Sequence, residues 1–242
     1  MGISVIDLIM DRELVRDLVA LNSVFYRDFA QSFSDSRAKY EAGYRRILDF
    51  MPVGPLIVLD VGCGNGRFGR FLQEDGVLEQ YTGVDYSPLF LSMVGESGQR
   101  AVQRDLSLPD CLDDLGRFDL IACLATLQHI PGRINRQRLL EEMASHLAPG
   151  GRMVVSNWQF LTNPRQQRKI LPWESVGIDL SRVEPNDYLL SWGRGGSGQR
   201  YVAYLDNTAM NEAAALAGLR VVNQFRADGR EGDLNLYTIL AG

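Results

Sequence analysis

The chain has 242 residues, 45% apolar and 23% charged, which is enough to bury one sizeable core and too apolar for a disordered polypeptide. No stretch approaches the roughly 18 apolar residues of a bilayer span. The start, with Asp7, Asp11 and Glu13, lacks the basic head and apolar run of a signal peptide, so a cytoplasmic protein away from membranes is expected. The net charge of −5 argues against a surface that grips nucleic acid throughout; no DNA partner is expected, although a local basic face stays open.

The first fifty residues read as helices, with Leu14, Leu18 and Leu21 along one face, expected to cover a sheet edge or a site. LIVLDV, from Leu56, is β-branched-rich and apolar on both parities, the pattern of a strand buried on both faces of a parallel sheet. Gly62, Gly64 and Gly66 follow in a tight turn, and then Phe68, Phe71 and Leu72 recur at helical spacing. YTGVDY from Tyr81, RAVQRD from Arg100 and FDLIACLATL from Phe118 read as further strands. A helix is predicted from about Asn135 to Leu147, halted by Pro149, Gly150 and Gly151, with a strand GRMVVSNW after it. Strands alternating with helices imply right-handed crossovers and a doubly wound α/β sheet.

After Trp158 the pattern breaks for some forty residues, ending in SWGRGGSGQR, too glycine-rich for a helix interior. So long a connection reads as a lid over a site or as a surface excursion. Asp206 or Asn207 is the expected N-cap of a helix through Leu216 that stops at Gly218, and LRVVNQF and NLYTIL are the closing strands. Cys63, Cys111 and Cys123 have neither CxxC nor Cys/His ligand spacing, so buried reduced thiols and no metal site are expected.

In open α/β sheets a ligand sits beyond the carboxyl ends of the strands, where the glycine turn lies. The string GCGNGR follows Asp60, an acid that repels a phosphate and welcomes a cation. Asp85 ends the next strand, placed to accept from two ribose hydroxyls, and Asp105 ends the third, where a carboxylate can accept from an adenine amino group. Each feature alone is also an ordinary turn or a solvated acid. Together they describe a site for adenosine, ribose and a positively charged tail, the parts of S-adenosylmethionine.

VLDVGCGNG, GVDYS, RDL and FDLIACLATLQHI resemble the motifs of class I S-adenosylmethionine-dependent methyltransferases over roughly residues 56 to 157. The resemblance implies a Rossmann-like, seven-stranded, mostly parallel sheet in a single domain over 1–242. Its parts would be a helical cover (1–52), a cofactor-binding core (53–157), a lid or substrate insertion (158–205) and a closing helix and strands (206–242). It further implies that Gly62 and Gly64 bring backbone against the donor, that Asp60 supports the turn and the ammonium group, and that Asp85 holds the ribose. Tyr86 would pack on the adenine, Asp105 with the Leu106 amide would read its edge, and Leu124 would lie under the methyl donor.

The flanks FYRDFAQSFSDSR, NWQF, ILPWE, QRYVAYL and DLNLY, with GNGRF in the turn, are similar to the tRNA wobble-uridine carboxymethyl methyltransferases. That family esterifies a carboxylate, which is ionised at pH 7 and requires no general base, only an arginine fork to orient it. Arg37, Arg165, Arg194 and Arg200 are the arginines in segments expected over the strand ends. His129 is the best-placed base by position, but the family has a His pair where this chain has Gln128 and His129, which puts an inherited role in doubt. His146, late in its helix, reads as structural.

Trp158, Trp173, Trp192 and Tyr201 could stack a base or form the lid's own core, and Arg165, Arg168 and Lys169 could equally be a solvated stretch. Between Pro131 and Arg200 there are ten basic residues against six acidic ones, a surplus of +4 that favours an anionic acceptor. The expected activity is methylation of a carboxymethyl wobble uridine in tRNA. The alternatives are a methyltransferase for a small anionic metabolite and a non-catalytic cofactor-binding subunit. The related tRNA enzymes work with a small zinc-binding protein, which makes a small activating partner a further expectation to test.

Overall fold

The computed structural model describes residues 9–35, 40–193 and 196–242, with the side chains of 31–33 and 35 left aside. Among the described residues the first elements are α1 (Arg12–Asp35) and α2 (Ala42–Leu48). Next come β1 (Leu56–Val61), α3 (Arg67–Glu74), β2 (Leu78–Asp85), α4 (Pro88–Glu96), β3 (Arg100–Gln103) and β4 (Phe118–Leu124). They are followed by α5 (Arg133–Ser145), β5 (Leu147–Trp158), the short α6 (Pro164–Gln167), β6 (Ile170–Leu171), β7 (Asp187–Trp192) and β8 (Gly198–Ala203). The last elements are α7 (Asn207–Leu216), β9 (Arg220–Ala227) and β10 (Asn235–Ala241).

Among the described residues one seven-stranded sheet runs in the order β3-β2-β1-β4-β5-β10-β9, with β10 antiparallel to both of its neighbours and the first five strands parallel. Successive side chains of β1 go to opposite layers because a strand has a period of two. Leu59 and Val61 pack with Leu139, Leu140 and Met143 of α5 and Met210 of α7. Val58 packs with Tyr44 and Ile47 of α2, Phe68, Phe71 and Leu72 of α3, and Leu91 and Val94 of α4. Helices on both faces are what made these strands apolar on both parities.

The junction between α5 and β5 differs from the expectation. α5 ends at Ser145, not near Leu147, because His146 closes it: its N–H donates to the Met143 carbonyl and its Nδ1 meets the Gly116 carbonyl at 2.5 Å. Leu147 is already paired with Phe118 of β4, so Pro149 and Gly150 lie within β5, where the register with β4 slips, and do not stop the helix. The Asp206 carboxylate does cap α7, accepting from the Ala209 N–H at 3.0 Å.

The segment after Trp158 is not irregular. β6, β7 and β8 form an antiparallel three-stranded sheet. Leu189, Tyr201 and Ala203 pack on Leu14 and Leu18 of α1, while Leu190 and Val202 pack on Phe160. Both faces of these short strands are buried, so no polar alternation marked them in the sequence. α1 thus lies on the small sheet and over the site, not along an edge of the large sheet.

Four distant segments hold the small sheet to the core. The buried Arg136 donates to the Tyr201 hydroxyl (2.6 Å), to the Ile130 carbonyl (3.1 Å) and to Glu184 (3.2 Å), and stands 3.6 Å from Asp187. Glu184 also accepts from the backbone N–H groups of Arg133 (2.7 Å) and Met10 (3.3 Å). Burial pushes the Asp187 carboxyl up to about 7, opposed by the Arg136 charge.

Candidate active site

The glycine turn lies between β1 and α3, at the carboxyl end of the parallel strands. Gly62 takes φ +74°, and a Cβ there would stand 2.2 Å from Thr126 Oγ1 and 2.7 Å from Thr126 Cβ, so only glycine fits. Gly64 takes φ +53°, and a Cβ would meet nothing within 4 Å; the residue lines an open cavity of about 200 Å³. Asp85 fastens the turn: one carboxylate oxygen accepts from the Gly64 N–H and the other from the Ser87 N–H, both at 2.9 Å. Burial raises the Asp85 pKa, and these backbone donors pull it back. Asn65 ties the turn to α1 through the Ser34 hydroxyl at 2.7 Å.

Asp60 is buried beneath the turn and accepts from the Tyr81 hydroxyl at 2.7 Å. Burial drives its carboxyl up to about 7, with the nearby Asp85 charge adding to the rise and Tyr81 and Arg67 opposing it. Asp60, Gly62, Gly64, Asp85, Tyr86, Asp105, Leu106 and Leu124 all line the same cavity. Asp105 is oriented by Ser107, whose N–H and hydroxyl both donate to its Oδ1. Tyr86 is half exposed at the rim, and α1 closes the opposite wall with Val19, Asn22, Ser23 and Tyr26.

His129 lines this cavity as well, but its ring is committed. Nδ1 meets the Tyr201 carbonyl at 3.0 Å, Nε2 faces the Gln128 amide at 3.4 Å, and the ring packs edge-on against Tyr26 and Trp158. Gln128, where the resemblance led one to look for histidine, is fully buried and accepts from the Trp158 N–H at 2.6 Å. Asn22 of α1 pairs with Tyr201 on both its N–H (2.8 Å) and its carbonyl (3.3 Å), and donates to the His129 carbonyl. The histidine loop is therefore a joint between core, small sheet and α1.

A second cavity, of about 170 Å³, adjoins the first; the two share Tyr44, Arg67, Leu124 and Ala125. Ala125 adopts φ +53°, held by its N–H to Ser156, so the smallest chiral side chain stands where the cavities meet. The second cavity is lined by Arg67, Lys169 and Arg200, by the acid Glu41, and by Trp158, Trp192 and Tyr237 among others. Arg200 is buried with its guanidinium 4.3 Å from the centre of the Trp158 ring, 5.0 Å from Phe25 and 5.2 Å from Trp192.

The other sequence candidates distribute differently. Arg37 and Arg194 lie outside the described residues. Arg165 and Arg168 are exposed on and beside α6 and line neither cavity, whereas Lys169 next to them does. Trp173 and Tyr201 belong to the core under α1, and Trp158 and Trp192 to the second cavity. The charge surplus of 131–200 is partly offset by Arg182, which pairs with Asp11 and Glu13 of the amino-terminal segment, whereas Arg136 pairs with Glu184 and Asp187, acids already within that count. Nothing in the local pattern marks Glu41 or Tyr44, and Arg67 carries a signal only as the first residue after the glycine turn. His146 is structural, and all three cysteines are free and buried. Among the described residues there is neither a metal-holding group of three or more His, Cys, Asp or Glu nor a helix long and apolar enough to cross a membrane.

A family profile described as a methyltransferase domain matches residues 33–224. The chain belongs to that family. This methyltransferase is 29% identical over 206 residues to an Encephalitozoon cuniculi protein that carries a methyltransferase name, covering 82% of this chain and 87% of the other. It is 29% identical over 172 residues to the Mus musculus protein named "Probable tRNA methyltransferase 9B", covering 69% of this chain but only 36% of the mouse protein. An S-adenosylmethionine-dependent methyltransferase from Clostridium acetobutylicum shares the fold with a TM-score of 0.61 at 14% identity, covering 89% of this chain and 98% of its own.

The first cavity of this methyltransferase fits S-adenosylmethionine. Among the described residues it presents three carboxylates, Asp60, Asp85 and Asp105, against one arginine, Arg67, an acceptor set for hydroxyls, an amino group and a cation. A dinucleotide pyrophosphate would meet Asp60 beside the turn, where a basic or neutral lining is needed.

Proposed function

We propose that this enzyme transfers the methyl group of S-adenosylmethionine to a carboxylate of its acceptor, and that the acceptor is a carboxymethylated wobble uridine of tRNA. The observation that carries the reading is the meeting of two cavities at Leu124 and Ala125, one lined by acids and the other by cations and aromatic rings. On the donor side Asp85 accepts from the ribose hydroxyls while fastening Gly64, Asp105 and the Leu106 amide take the adenine edge, Tyr86 covers the adenine, and Asp60 faces the ammonium group. Leu124 supplies an apolar floor beneath the reacting centre.

When bound, the donor would supply a methyl group on a cationic sulfur, which an acceptor carboxylate oxygen would take while the C–S electron pair stays with sulfur. No proton moves, so the chain's residues are asked for alignment, which can supply several kcal/mol of a barrier. Arg200 and Lys169 give the second cavity its positive field, and Trp158 and Trp192 offer faces for a planar ring. The likeness to the mouse tRNA methyltransferase supports an RNA acceptor, and the flanking motifs supply the wobble-uridine class.

A small acidic metabolite is the second reading. It is favoured by the pairing of Arg182 with Asp11 and Glu13, which removes part of the basic face that an RNA would use. The test is incubation with methyl-labelled donor and either total tRNA or an extract of small acids. Base-labile label on RNA is the expected result. Label in the small-acid fraction establishes the second reading, and an absence of label from both, with a cell extract present to supply an activating partner, refutes carboxylate methylation.

A further inference from the structure

Arg67 stands at the boundary between donor and acceptor. It is the first residue of α3, immediately after the glycine turn, and its side chain is buried. Of the three cations lining the second cavity, it alone among the described residues also lines the first. Its Nη2 donates to Glu41 at 3.0 Å and to the Tyr44 hydroxyl at 3.2 Å, and the guanidinium lies 5.4 Å from the centre of the Tyr44 ring.

Glu41 occupies the N-cap position of α2, yet its side chain caps nothing there. The carboxylate goes instead to Arg67, with about a third of the side chain still exposed. Among the described residues it is also the single acid in a cavity lined by Arg67, Lys169 and Arg200. A carboxylate-bearing ligand entering that cavity meets a cation already neutralised by a protein carboxylate that solvent can reach and that can therefore leave.

We infer that Arg67 is the specificity-determining residue for the acceptor: it selects a carboxylate carried on a planar ring, and Glu41 occupies the carboxylate's place until the acceptor displaces it. This rests on the two-cavity reading above. Arg200 and Lys169 then act as the field around the ring, Arg200 being stacked among Phe25, Trp158 and Trp192. Exchange of one carboxylate for another keeps the buried guanidinium paired throughout, which avoids leaving an uncompensated buried charge. It also sets a threshold against neutral ligands, which cannot take over from Glu41.

The test is calorimetric titration of the protein saturated with S-adenosylhomocysteine, using 5-carboxymethyluridine and its neutral amide, 5-carbamoylmethyluridine, as probes. Wild type is expected to prefer the acid by about tenfold. Glu41→Gln should widen that preference by roughly three- to tenfold by removing the competing charge, and Arg67→Met should bring it to about one. The assignment is overturned if the preference is insensitive to Glu41→Gln and Arg67→Met, or if only Arg200→Met abolishes it. Should Arg67→Met fail to fold, Glu41→Gln alone decides, since it retains a hydrogen-bonding side chain at a partly exposed site. Failure of S-adenosylhomocysteine to bind would refute the donor reading itself, whereas donor binding with neither probe retained would refute only the ligand class.

Discussion

Gly62 and Gly64 belong to one motif but are constrained by different things, and alanine at each separates folding from binding. In Gly62→Ala the new Cβ would lie 2.2 Å from Thr126 Oγ1, 2.3 Å from Cγ2 and 2.7 Å from Cβ, so rotating Thr126 about χ1 cannot clear it. The left-handed backbone at φ +74° costs an alanine roughly 1–2 kcal/mol, and overpacking adds roughly 1–3 kcal/mol, for a loss of about 2–5 kcal/mol. In a chain of this size that lowers Tm by roughly 4–20 °C. Gly64→Ala meets no atom within 4 Å and carries only the backbone term, about 1–2 kcal/mol or roughly 2–8 °C. Its methyl group, however, enters the lining of the donor cavity, and affinity for S-adenosylhomocysteine should fall by at least about tenfold. Thermal melts with and without S-adenosylhomocysteine, followed by calorimetry, read both effects. Equal Tm losses in the two variants, or undiminished ligand binding by Gly64→Ala, would refute the argument.

Three other perturbations test separate parts of the structure. Asp60 has its carboxyl raised to about 7 from an ordinary value of 3.8, so the protonated form is favoured by folding; its contribution is fully present below the ordinary value and is lost as pH rises through 7, by up to about 4 kcal/mol. Ligand-free wild type should therefore lose stability relative to Asp60→Asn between about pH 4 and 8 in denaturant titrations, and a pH-independent difference would contradict this. Arg136→Met strands Glu184 and Asp187 in the interior, at a cost of about 3–5 kcal/mol; adding Glu184→Gln and Asp187→Asn should restore much of the Tm, and a single variant that melts like wild type would show the ion cluster to be dispensable. His129→Leu should cost about 1–2 kcal/mol by breaking the contact with the Tyr201 carbonyl while leaving the shape of the pH–rate profile unchanged; disappearance of an ionisation near neutrality from kcat/KM would instead make His129 a base.

The amino-acid sequence by itself determined the sheet and the glycine turn with its three acids. β1 and β4 are continuous apolar runs because each is covered on both faces, the glycines mark backbone that no side chain can follow, and the acids at 60, 85 and 105 lie next to strand ends that local pattern defines. All of these are short-range relations. Only the tertiary structure decided the second cavity. β6–β8 carry no alternation because both of their faces are buried, one by α1 and the other by Phe160, from elements far away in the chain. Arg136 and Arg182 look like free cations in a charge count, yet they meet Glu184, Asp187 and Asp11 across 48, 51 and 171 residues. Arg67 reads as an ordinary first residue of a helix until Glu41 is brought beside it. Charge is summed along a chain, but a field is made by neighbours in space, and which charges become neighbours is settled by packing.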